Sequence, residues 1–224
     1  MAQMVMAAPM PGAGFTPSWP YAQSVPLPSA ILRPLQQPLY DTEMFLAGVA
    51  LAQRIYFQRQ LGQADQSGAI QAKQAAHTNL QQPGQLANPL EFSLFGFLFE
   101  IDASCTLVDF IQIYRTAVFS FTYTGNRTYL QIPLTRIPQG VSPEGTASEG
   151  GTAFTSGITH NGVGHISNIY KFTIGKSALR IRPTESFQVS LAWNNCTAGV
   201  VQTSQPVAQV QSRIYLMGLS WLPL

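Results

Sequence analysis

Eight of the chain's sixteen prolines fall within its first forty residues, and their placement decides where regular structure can begin. Pro9, Pro11, Pro17, Pro20, Pro26, Pro28, Pro34 and Pro38 each fix φ and remove a backbone donor, so neither a long helix nor a central strand can form across them. Extended, polyproline-II-like backbone is what such a segment favours. It is not a solvating tail. No charged residue precedes Arg33, and large apolar side chains interrupt the prolines throughout. Disordered chains are depleted in such residues. Phe15, Trp19, Tyr21, Leu27, Ile31 and Leu35 are therefore expected to anchor this arm against another protein surface.

The rest of the composition agrees with a surface that meets protein. Charged residues make up 10% of the 224-residue chain, against roughly 25% in ordinary soluble proteins. Arginine outnumbers lysine nine to three, a bias that suits planar hydrogen bonding within contacts. The net charge is +2 and evenly spread, with four basic and three acidic groups in residues 1–90 and eight and seven in the remainder. Strong attraction to nucleic acid or anionic lipid is not expected from that pattern. Nor does the arm carry the Lys/Arg cluster of a genome-condensing tail. Cys105 and Cys196 are too few for a disulfide framework. Neither a secretory signal nor an apolar run long enough to span a bilayer is visible, so synthesis in a cytoplasm with reduced thiols is expected.

The expected organisation is an arm over residues 1–40, a segment 41–89 and a strand-rich domain 90–224. Within 41–61, Met44, Ala47, Leu51 and Ile55 recur at helical spacing behind a cap at Asp41 or Thr42. That predicts one short helix, although residues 54–57 read equally as strand. Residues 62–89 are rich in Gln, Ala and Gly and read as a long connection. Strands are expected at 90–101 (with a bulge near Gly96), 107–114, 117–124, 128–137, 166–174, 178–182, 186–193 and 213–222. The Gly-, Ser- and Thr-rich stretch 139–165 reads as a surface loop. Eight strands without helix-length crossovers predict an all-β fold, a single jelly-roll-like antiparallel sandwich. An immunoglobulin-like sandwich is the alternative topology.

No catalytic, cofactor or metal site is expected. His160 and His165 flank Asn-Gly-Val-Gly without a carboxylate near them, which is not the arrangement a metal needs. Glu144 and Glu149 share one glycine-rich loop, too mobile a support for paired-carboxylate chemistry. Nucleophile-elbow, phosphate-loop and dinucleotide motifs are absent. The alternating Phe119, Phe121 and Tyr123 fit one buried sheet face better than a base-stacking platform.

The run Lys73-Gln-Ala-Ala-His-Thr78-Asn79-Leu80, followed by Gly84, Leu86, Pro89 and Phe92, resembles a recurring start of virion structural proteins of bacterial viruses. Ser186-Phe187-Gln-Val-Ser-Leu191 and Arg213-Ile-Tyr-Leu-Met-Gly218 resemble their closing pattern, and Gly125 to Leu130 with Ile137-Pro138 their middle. The likeness covers residues 73–224. It implies a jelly-roll capsid protein of a small icosahedral bacteriophage, located in the virion. Its partners would be copies of itself and other capsid proteins, with an internal membrane as a further contact and no small-molecule substrate. A spike, cement or lectin-like receptor-binding sandwich is the alternative.

Overall fold

The computed structural model describes residues 32–35, 37–102, 107–124, 127–138, 143–148, 155–160, 169–173, 178–193 and 209–223. Two antiparallel sheets pack face to face. In the first, β1 (Leu32–Leu35) and β2 (Leu39–Leu46) lie end to end along one side of β12 (Gln209–Pro223). β4 (Glu91–Ile101) lies on the other side of β12 and in turn pairs with β9 (Tyr170–Lys171) and β10 (Leu179–Ile181). The second sheet has the order β3 (Arg54–Tyr56), β11 (Phe187–Ala192), β5 (Val118–Tyr123), β6 (Arg127–Pro133). β1 and β2 keep a single register against β12, and β9 and β10 share one edge of β4, so each pair fills one strand position. The eight positions then alternate between sheets except at the β5–β6 hairpin, and the first strand lies beside the last. That is the connectivity of a jelly roll.

The core is aromatic because strand periodicity directs it there. In β5 every second residue is buried, placing Phe119, Phe121 and Tyr123 inward. Phe97 of β4 meets Phe119 and Phe121 across the sandwich at ring separations of 5.0 and 5.1 Å. Phe187 and Trp193 are buried with them. The expected irregularity near Gly96 is present: Met217 pairs with Gly96 and Gly218 with Leu94, leaving Phe95 as the extra residue. The inward set changes from Phe92 and Leu94 to Phe97, Phe99 and Ile101 across it.

Three local expectations are corrected. The helix expected over 41–61 is replaced by β2 and β3. Of the apolar residues at helical spacing only Met44 and Ile55 fall in the strands, and pairing with β12 and β11 overrides the helical spacing. The strand expected at 107–114 is a helix, α1 (Leu107–Thr116), in the connection between the sheets. Phe110 and Tyr114, four residues apart, stack at 5.2 Å, and Tyr114 donates to the Ile137 carbonyl at 2.8 Å. The stretch expected to be a plain loop holds a hairpin, β7 (Pro143–Ser148) with β8 (Thr155–His160). The sandwich thus takes in residues 32–56, ahead of the start at residue 90 that alternation alone indicates.

The described connections gather at two ends. At one, the Phe187 amide donates to Gly84 and the Thr124 amide to Ser186, joining the 57–90 loop to two tight turns. At the other, α1 contacts both strands of the β7–β8 hairpin, and the Leu134 amide donates to Ala117.

Candidate functional site

Of the six expected arm anchors, Phe15, Trp19, Tyr21, Leu27 and Ile31 lie outside the described residues. Leu35 is described. It is half-buried in β1 and pairs with Ser220, so the root of the arm is an edge strand of the sandwich. Pro34 fits there because an edge strand can lack one donor. Beside Leu35 a groove of about 510 Å³ is lined by apolar side chains, among them Leu39, Leu80, Leu86, Leu90 and Leu222. Among the other residues weighed for chemistry, His160 ends β8 and Glu144 lies in β7. His165, Glu149, Cys105 and Cys196 fall outside the described residues. Among the described residues no group of three His, Cys, Asp or Glu side chains is placed to hold a metal ion.

The most constrained polar site lies under the 57–90 loop. Between the edges of β2 and β3 the sandwich would stand open, with unpaired backbone along both strands. The loop closes it. The Tyr40 amide donates to Asn79 Oδ1 at 3.1 Å, the Met44 amide to Asp65 Oδ2 at 3.3 Å, and the Ile55 amide to Gln66 Oε1 at 3.0 Å. Thr78 bridges to Asp41 as a further backbone partner of β2. Covering an edge in this way removes a template for unwanted strand pairing.

Strand geometry puts two carboxylates beneath this cover. Asp41 and Glu43 are two residues apart in β2 and face inward with Leu39 and Phe45. The loop delivers Lys73 to them: its amide donates to Gln63 and its carbonyl accepts from Gly62, which pins the residue at both backbone groups. Lys73 Nζ lies 2.7 Å from Asp41 Oδ1 and 2.8 Å from Glu43 Oε1, and all three side chains are 0% exposed. The remaining carboxylate oxygens accept from backbone, Asp41 Oδ2 from the Phe57 amide and Glu43 Oε2 from the Gln66 amide, both at 2.7 Å. Phe57 adopts φ +69°, a left-handed conformation that is uncommon for a bulky residue and that aims its N–H at Asp41. Around this centre, Tyr56 shares a hydrogen bond with Ser212 at 2.7 Å, and Ser212 Oγ donates to the Glu43 carbonyl at 3.0 Å. Buried Arg54 lies over the Phe45 ring and donates to the Met44 carbonyl.

Burial dominates the electrostatics. Loss of solvent raises Asp41 and Glu43 above their ordinary values. The Lys73 charge and the two backbone donors pull them back only in part. Tyr56 is pushed up by burial as well. Two carboxyls facing one lysine in a dry site favour keeping a proton within the group.

This cluster escapes a reading by motif, because Lys73 lies 32 and 30 residues from its two partners and Asp41 looks like a helix cap. A usable signal was present all the same. In a chain so poor in charge, two carboxylates at strand spacing inside the apolar stretch Leu39–Leu46 demand a buried partner. Lys73 is one of only four basic residues in the first ninety.

No family model, curated protein or solved structure matches the chain.

Proposed function

We propose that the chain is a structural capsid subunit that assembles into an icosahedral shell, with its N-terminal arm docked on neighbouring copies. The observation that carries this reading is the position of the arm's root. An eight-position jelly roll receives the arm as a strand on the outer edge of its first sheet, where the chain can continue onto a neighbour. Jelly rolls serve capsids, lectins and cupins. The interior here is lined by apolar side chains, many of them aromatic, and among the described residues no three His, Cys, Asp or Glu side chains are grouped as a cupin-type centre needs.

Charge supports the same reading. Of the seven charged residues in the first ninety, Asp41, Glu43, Arg54, Asp65 and Lys73 are buried inside the subunit. Of the described remainder, Arg59 is half-buried, so the region shows little charge outside, and depletion of charge is what distinguishes the core of an interface. The second reading, a receptor-binding or cement sandwich, draws on the end of the molecule where α1 packs against the β7–β8 hairpin.

Stoichiometry in particles separates the two. Quantitative protein analysis of purified virions should find this chain as the continuous, high-copy component of the shell. A few copies confined to vertices or to fibres would select the receptor-binding reading instead.

A further inference from the structure

The arrangement around Lys73 is more than an ion pair holding a loop. An amine nitrogen touches one carboxyl group whose second oxygen is held by a backbone N–H, and a second carboxyl touches the same nitrogen. Those are the parts required for amide formation: a nucleophile, an acyl carbon with a donor for its developing oxyanion, and a proton carrier. We propose that Lys73 and Asp41 condense to an intramolecular amide, with Glu43 shuttling the protons.

The step balances without any co-reactant. The proton retained at the site starts on Asp41 Oδ1. Glu43 takes a proton from the Lys73 ammonium, which leaves a neutral amine facing a neutral carboxyl. The Nζ lone pair attacks Asp41 Cγ, forming the C–N bond, and negative charge gathers on Oδ2, where the Phe57 N–H already lies at 2.7 Å. Glu43 passes its proton to Oδ1, the oxygen nearest Nζ, and takes a second one from the nitrogen. The Cγ–Oδ1 bond then breaks and one water leaves. Glu43 ends as a neutral carboxyl.

Three features favour the forward direction. The amine and the carboxyl group are held within hydrogen-bond distance by backbone pinned on both sides, so little orientational freedom remains to be lost. All three side chains are 0% exposed, which keeps bulk water from returning. The reaction also replaces a buried ion pair with a neutral amide, removing charges whose desolvation is costly. Burial raises both carboxyls, consistent with a proton retained at the site. The product would tie the 57–90 loop covalently to β2 and lock the closed side of the sandwich. This inference does not depend on the assembly role.

Mass spectrometry of the full-length folded chain after denaturation tests it. The expected mass is below that of the sequence by one water, and a proteolytic digest should yield a branched peptide joining Lys73 to Asp41. In Glu43→Gln the link should form far more slowly or not at all. A folded wild-type chain with both side chains free overturns the proposal. So does a loss of water located elsewhere, or a link from Lys73 to Glu43. A Glu43→Gln chain that is cross-linked at the wild-type rate overturns the role given to Glu43.

Discussion

Glu43 shows how a single residue can set the pH response of this fold. It stays a carboxyl group whether or not its neighbours are joined, and burial holds it above its ordinary 4.5. The folded state therefore binds the proton more tightly than the unfolded chain. The stability this contributes is complete below pH 4.5 and is lost as pH rises through the raised value. Thermal unfolding followed across that window should show the wild-type melting temperature falling as pH rises. A flat wild-type profile would mean that Glu43 is not the titrating group. The glycines at the β4–β12 irregularity make a second residue-scale case. A Cβ on Gly218 would collide with the Ser93 carbonyl oxygen and the Phe92 ring. Gly218→Ala should cost about 1–3 kcal/mol in chemical denaturation, the usual range for overpacking. A change within about 0.5 kcal/mol would place the variant with neutral surface substitutions instead.

At the scale of elements, what was legible in the sequence was whatever alternation alone decides. β5, β10 and residues 209–216 of β12 carry a clean two-residue period, and Gly96 marks the bulge in β4. The failures share one cause. In residues 107–116 the apolar residues fit either period, and in 39–46 carboxylates interrupt the strand period, so pairing and packing made the choice. β2 has β12 as a partner along its whole length, whereas α1 spans the gap between sheets where no strand partner is at hand. The β7–β8 hairpin was hidden for another reason: its Gly, Ser and Thr carry almost no hydrophobic pattern, and only backbone pairing defines it. The cluster around Lys73 was hidden by distance, since a polar loop gives no sign of which strand it covers. Its carboxylates are in plain view, but a helical reading of the strand makes Asp41 a cap and gives Glu43 no role.

On the scale of the whole molecule, the arm and the sandwich meet at β1. Residues 32–35 and 39–40 pair with β12 and so belong to the first sheet, not to an arm ending at residue 40. That sets the informative truncation. Removing residues 1–31 keeps every described strand, whereas a deletion into residues 32–38 would also strip the edge of the first sheet and confuse folding with assembly. Burying a large aromatic or aliphatic side chain is worth about 1.5–3 kcal/mol, so a few anchors such as Phe15, Trp19 and Tyr21 could offset the ordering of part of the arm. The most direct measurement is sedimentation velocity, with electron microscopy, of the full chain beside a chain beginning at Leu32. The full chain should form large closed particles, and the truncated chain should remain folded, with an unchanged far-ultraviolet spectrum, but sediment as small species. A truncated chain that builds particles of the same size and stability, or a full chain that stays monomeric at high concentration, would contradict assembly through the arm.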